Sequence, residues 1–312
     1  MLNKKHIKYF NKILPEDFVF TEPGDCWAYG YDNSKMHVMP ECVLFANNKN
    51  QIQEVVRYCY ENNIPITTRG RGTGNTGGSV PIEKSIVLSL EKMNKILNID
   101  INNRLAIVEP GVINKVLQDR LKQQSFFWGP DPSSQEYSTI GGNIANNSAG
   151  PRAIKYGTPR DNILGLEFIS GKGEIHKTGV KTSKGVVGLD LTRLFTGSEG
   201  ILGILTEATL KILPLNDSVK TIEITFESVE NASETIISLM TQPITPYKLE
   251  FIDSESIKLI NTIKKNHYDK NSNSAILLEI DGENEYIDIM LNKIINVIKK
   301  NKYKKITGAD NK

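Results

Sequence analysis

The chain is poor in cysteine and histidine, has no long apolar run, and carries no excess of either charge. Its three cysteines, Cys26, Cys42 and Cys59, are widely spaced, which excludes a disulfide framework or a cysteine zinc knuckle and leaves reduced thiols as the expectation. No two of the four histidines, His6, His37, His176 and His267, lie close in sequence. His176 in particular has no His, Asp or Cys partner at metal-ligand spacing, so no metal site is expected. No stretch approaches the roughly 18 uninterrupted apolar residues of a transmembrane segment. The lysine-dotted N-terminus lacks the apolar core of a signal peptide, so a cytoplasmic protein is the expectation. A net charge of +2 gives no argument for nucleic acid or an acidic membrane surface. What remains is a soluble globular composition on 312 residues, a length that suggests roughly two domains.

Glycine, in contrast, is clustered. From Ile66 to Pro81 a short β-branched run opens into five glycines within nine residues, Gly70 to Gly78. Such a loop brings bare backbone close to something, most simply an anion such as a nucleotide pyrophosphate, although an ordinary surface turn also fits. Gly72-x-Gly74-x-x-Gly77 matches the dinucleotide fingerprint, but that motif needs a helix behind it. Here Pro81 follows and Ser85 to Leu90 reads as a strand. The loop therefore joins strand to strand, and a Walker loop is excluded because no Gly-Lys-Ser/Thr follows.

Upstream, Cys42 to Phe45 reads as a buried strand, Ile52, Val55, Val56, Cys59 and Tyr60 form one helical face, and Ile64 to Thr68 is a second strand. The glycines thus sit at a strand's C-terminal end, where open α/β layers bind ligands. Residues 1–37 receive no firm assignment. Beyond the loop, strands at Ile86 to Leu90, Ile96 to Ile99 and Leu105 to Val108 precede a helix carrying Ile113, Val116, Leu117 and Leu121. Residues 129–150 are poor in bulky apolar side chains. A loop that long suits an extended polar ligand with a flat ring, or else is an irregular connection. A third cluster, Gly197-Ser198-Glu199-Gly200-Ile201-Leu202-Gly203, runs straight into the apolar stretch Ala208 to Leu213. From 216 onward strands and helices alternate, with helices expected at Val229 to Met240, Ser254 to Ile263 and Ile287 to Ile298.

Three glycine-rich segments in this order resemble the flavin domain of the FAD-linked oxidases of the vanillyl-alcohol-oxidase type, in the glycolate oxidase flavoprotein subunit and D-lactate dehydrogenase branch. The resemblance is carried by Arg69 to Pro81, by Asp131 to Gly150 with its Ser-Thr-Ile-Gly-Gly-Asn core, by Tyr156-Gly157 and by Gly197 to Gly203. Met93 to Ile96 and Glu109 to Val112 also match. It implies an α+β fold: an N-terminal segment (1–37), a PCMH-type two-subdomain FAD-binding domain (38–215), and a partial α/β, ferredoxin-like substrate cap (216–312).

By that resemblance, Arg69, Gly70, Arg71, Gly72, Thr73, Gly74, Asn75 and Gly78 hold the FAD pyrophosphate. Pro132, Ser133, Ser134, Thr139, Gly141, Gly142, Asn143, Asn146, Gly150 and Gly157 line the cofactor's length, and Glu199, Gly200, Ile201, Gly203 and Ile204 close on it. Non-covalent FAD is expected, because no histidine lies in or near the first loop, where position 75 is Asn. The implied activity is oxidation of a small D-2-hydroxy acid by hydride transfer to flavin, with electrons passed to an acceptor or partner subunit. The family's His-x-Gly-Asp-Gly-Asn-x-His pattern is absent. The chain is therefore expected to be C-terminally incomplete, with no visible catalytic base, and a non-catalytic FAD-binding or electron-transfer subunit remains the alternative.

Overall fold

The structure is a computed structural model that describes residues 2–182, 184–264, 267–269 and 271–309. The chain divides into two compact units, one of residues 1–150 and 158–214, the other of residues 151–157 and 215–312. Among the described residues no helix is long and apolar enough to cross a membrane.

The first unit holds two sheets. Strands β1 (Val19–Phe20), β2 (Cys42–Phe45), β3 (Ile66–Arg69) and β4 (Ile86–Ser89) lie in the order β1-β2-β4-β3, with β4 parallel to both β2 and β3. β2 and β4 are buried along their whole length, as continuous apolar runs in a parallel sheet should be. The helix Lys49–Glu61 between β2 and β3 starts at Asn48, whose side chain accepts the Gln51 N–H. It buries Ile52, Val55, Val56 and Cys59 in the core shared with this sheet, each worth about 1.5–3 kcal/mol for the larger aliphatics.

The return from β3 to its parallel neighbour β4 is unusual in kind. Adjacent parallel strands need a crossover, normally a helix; here the glycine-rich residues 70–85 make it without one. The backbone at the end of β3 is therefore left uncovered by any helix of its own.

The second sheet contains β5 (Ile96–Asp100), β6 (Leu105–Val108), β7 (Phe126–Trp128), β8 (Ile163–Ile169), β9 (Ile175–Gly179) and β10 (Ile204–Pro214). Its order is β5-β6-β10-β8-β9, and the far end of β10 also pairs with β7. Its core includes the fully buried Trp128, whose indole N–H donates to Asn162 O.

The structure fills in one segment left unassigned from sequence and corrects one expectation in this unit. The N-terminal segment carries an amphipathic helix, Lys4–Ile13, capped by Asn3 and seated through Phe10. Residues 129–150 are not all loop: Ile140–Ala145 is helical, begun by Thr139, whose Oγ1 accepts the Gly142 N–H at 3.1 Å.

All three cysteines are buried free thiols, and burial pushes Cys59 up to about 12. On β8, the Glu167 side chain is 3% exposed and accepts from Lys49, Lys177 and Thr206. Burial raises its pKa, but these partners outweigh that and hold it below the ordinary glutamate value. A depressed carboxyl stabilises the fold above its unfolded pKa, and that contribution is lost as pH falls through the folded value. Glu167→Gln is therefore expected to cost about 1–2 kcal/mol at neutral pH. Thermal melts should converge with wild type as pH falls through the folded pKa, and a gap that persists in strong acid would contradict this origin.

In the second unit, β11 (Ser218–Phe226), β12 (Lys248–Asp253), β13 (Ser274–Gly282) and β14 (Lys305–Ala309) form an antiparallel sheet in the order β12-β13-β11-β14. Helices Val229–Met240 and Ile287–Ile298 share its core through Leu239, Ile294 and Ile298. This is the expected ferredoxin-like layering, with the helix Ser254–Ile263 added between β12 and β13. The segment 151–157 is tied in by the buried Asp281 carboxylate, which accepts from Lys155, Tyr156 and Asn216. Burial, reinforced by Asp281, pushes the Tyr156 hydroxyl up.

Candidate cofactor site

In the first unit the crossover loop faces the helix Ile140–Ala145 and the turn 197–200 across a cavity of about 400 Å³. The three glycine clusters, spread from Gly70 to Gly203 in sequence, meet on its walls. The first supplies Gly70 through Asn75 and Gly78, the second Pro132 to Ser134, Thr139, Gly141 to Asn143 and Asn146, and the third Glu199, Gly200 and Gly203.

Backbone chemistry sets the site's character. Among the described residues, no backbone N–H from Gly70 to Gly78 donates to a protein acceptor; none of these residues is buried, and their amides are open to solvent or to a bound group. Nine consecutive donors beside a cavity suit an anion of several oxygens. Arg71 adds a cation on the wall, its Nε held 3.1 Å from Glu91.

The glycines divide by their reason for being glycine. A Cβ on Gly70 would lie 2.4 Å from Thr139 Oγ1 and one on Gly141 2.7 Å from Pro110 Cβ, so the protein's own packing demands those two. Gly74 is different: its φ is not left-handed, and a Cβ there would meet nothing nearer than Asp32 at 3.8 Å. No intramolecular contact calls for glycine at 74, which stands on the cavity wall. The turn that closes the cavity carries Glu199 at φ 54 and Gly200 at φ 82. It is pinned by the Glu199 N–H to Ala145 O and the Gly197 N–H to Ile144 O.

Five expected residues are not on the wall. Arg69 is 6% exposed and turns away, its Nη1 donating to Tyr31 O at 2.6 Å and to Ser79 O, so it fastens the segment 28–31 to the loop. Gly150 abuts the Asp131 backbone, Ile201 is exposed to solvent, and Ile204 is packed in the core. Gly157 belongs to the second unit.

The structure also adds residues that sequence reasoning missed. Asp32, from the unassigned N-terminal segment, lines the cavity, as do Thr68, Leu90, Pro110, Phe195 and Leu205. An adjoining hollow is formed by Trp27, Tyr31 and His37 with Gly72, Thr73 and Ser134. His37, remote from the loop in sequence, is therefore beside it in space. Of the other histidines, His6 contacts the Tyr58 hydroxyl, His176 stacks on Phe168, and His267 lies 3.4 Å from Glu223 in the second unit. None of the four is on the main cavity wall. Among the described residues no group of three or more His, Cys, Asp or Glu could hold a metal ion.

These features match known proteins in sequence and in shape. Residues 40–179 match the model of an FAD binding domain, and residues 215–311 that of the C-terminal domain of FAD linked oxidases. The glycolate oxidase subunit GlcD of Bacillus subtilis is 40% identical over 86% of this chain and 57% of that protein. The D-lactate dehydrogenase of Anaerostipes hadrus is 38% identical over 80% of this chain and 53% of its own length. The chain thus spans a little over half the length of these relatives. Among solved structures, alkyldihydroxyacetonephosphate synthase superposes with a TM-score of 0.84 at 19% identity, covering 99% of this chain and 60% of its own. Substrate-bound p-cresol methylhydroxylase superposes with a TM-score of 0.79 at 21% identity, covering 97% and 65%. The glycine-walled cavity lies largely within the FAD-binding match, and with both domain models matched in order, the chain belongs to the family of FAD-linked oxidases.

Proposed function

We propose that this chain is the flavin-holding part of an FAD-dependent oxidoreductase that oxidises a small D-2-hydroxy acid of the glycolate or D-lactate type. The observation that carries the cofactor assignment is the run of unpaired backbone donors at Gly70 to Gly78 beside Gly74, the glycine with no internal reason to be one. The substrate class rests on the relatives, which are named as a glycolate oxidase subunit and a D-lactate dehydrogenase. When bound, FAD supplies two-electron acceptance from the substrate's carbinol carbon.

The chain's own residues bind and orient. The loop amides and Arg71 take the pyrophosphate, Thr139 fixes the start of the helix that bounds the cavity, and the Glu199 turn closes the side opposite Gly78. Leu90, Phe195 and Leu205 provide apolar wall that keeps water from a flat ring. Attachment is non-covalent in this reading, and all flavin should leave with acid or heat. Flavin that stays with the precipitated chain would point to His37, which the fold brings beside the loop. A reducing, cytoplasmic setting belongs to the same reading, supported by three buried thiols with no disulfide.

The test is anaerobic. FAD-loaded protein mixed with glycolate or D-lactate should lose its yellow flavin absorbance, a colour change that belongs to the cofactor's own chemistry. One observation favours the second reading, a non-catalytic FAD-binding or electron-transfer subunit: no histidine lies on the main cavity wall to take the hydroxyl proton. Retention of the yellow colour with every 2-hydroxy acid offered would select that reading.

A further inference from the structure

We infer that Asp32 is a ligand-binding residue of this cavity, its Oδ2 accepting a hydrogen bond from a sugar hydroxyl next to the bound pyrophosphate. The inference rests on the FAD reading and assigns a contact to a residue outside the three glycine clusters. Asp32 is 2% exposed; its Oδ1 accepts the Ser34 N–H at 2.9 Å, while Oδ2 has no hydrogen-bond partner. A buried carboxylate oxygen without a donor is costly and calls for one from outside the chain. The residue lines both the main cavity and the adjoining hollow, 3.8 Å from where a Cβ on Gly74 would stand.

Its position is fixed on both sides. The Asn33 N–H donates to Gly74 O at 2.9 Å, Asn33 Nδ2 to Asn75 Oδ1 at 2.5 Å, and Arg69 Nη1 to Tyr31 O. The backbone on either side of Asp32 is thereby held against the loop, and the carboxylate itself is held by the Ser34 N–H.

Charge selects the partner. The loop amides attract phosphate oxygens, but a carboxylate at the same loop repels them, so its complement on the cofactor is a donor one step removed from phosphate. In FAD the pyrophosphate is flanked by a ribose and by a ribityl chain, both bearing hydroxyls. A carboxylate on a ribose hydroxyl beside a glycine-loop pyrophosphate is a recurrent pairing in dinucleotide sites.

The experiment compares wild type with Asp32→Asn, titrated with FAD by flavin fluorescence and with ADP by calorimetry. The amide keeps a carbonyl oxygen for the Ser34 N–H and places a donor where the acceptor stood. If the carboxylate merely shapes its turn, losing a negative charge beside the phosphates leaves FAD binding equal or tighter. The expected result is the opposite, about tenfold weaker FAD. ADP weakened to the same degree places the contact on the ribose, and ADP unchanged places it on the ribityl chain. Equal or tighter FAD binding overturns the inference, whereas a wild type with no affinity for FAD overturns the cofactor reading itself. Should Asp32→Asn melt below wild type as apoprotein, the wild type decides alone. It should lose about tenfold for FAD deoxygenated in the ribose or in the ribityl chain, and indifference to both overturns the contact.

Discussion

Gly74→Val is expected to give a folded protein that binds FAD at least about a hundredfold more weakly. The backbone at 74 is not left-handed, and a Cβ there has open space to 3.8 Å, so no main-chain clash opposes folding of the apoprotein. Its melting should change by no more than about 0.5 kcal/mol of stability, as for a substitution that disturbs no packing. In the loaded protein the branched Cβ stands where the loop amides approach phosphate, and at least ~3 kcal/mol of binding is lost, roughly a hundredfold. Flavin content after purification in excess FAD, read against the apo melting curve, measures both halves. Normal flavin content would remove the loop from the cofactor site.

Gly150→Val is the converse. A Cβ there would lie 2.1 Å from Asp131 O and 2.4 Å from Asp131 C, both main-chain atoms that cannot rotate aside. The two ends of the 129–150 stretch would be forced apart, at a cost of about 3 kcal/mol or more. This loss should appear in the apoprotein by chemical denaturation, before any cofactor is added. A variant as stable as wild type that simply binds FAD less well would place Gly150 back among the cofactor contacts. The two substitutions introduce the same side chain into adjacent glycine clusters and separate binding from folding.

Much of the architecture was legible because it depends on local pattern. The helices Val229–Met240, Ser254–Ile263 and Ile287–Ile298 begin and end where their apolar periodicity does. What escaped depends on contacts distant in sequence. Ile140–Ala145 contains two adjacent glycines, the weakest helix formers short of proline. It exists because Thr139 caps it and because only glycine fits at 141 against Pro110. In the site, the clustered glycines announced themselves, but their separate purposes did not: Gly70, Gly74 and Gly150 look alike in sequence and differ only in what stands beyond each Cα. Asp32 and His37 gave no signal, being single polar residues in a turn-rich segment about 40 residues from the loop they meet. Arg69 misled in the opposite sense, since a cation among glycines suggests phosphate, and its guanidinium instead fastens backbone carbonyls.

β10 makes the closing pairings of the second sheet, with β6, β7 and β8, and its first residues adjoin the turn that bounds the cavity. Pairings of such long sequence separation form slowly, and a chain being synthesised cannot form them before the later partner exists. On the ribosome, then, β5, β6, β7 and β8 emerge without the strand that joins them, and the cavity lacks the wall made by Phe195 to Leu205 until β10 has cleared the exit tunnel. Cofactor capture is thereby timed by translation: FAD meets a completed cradle only after that point, and a ribosome stalled upstream of β10 would carry a nascent chain with the glycine loop already made and nothing yet able to hold flavin in it.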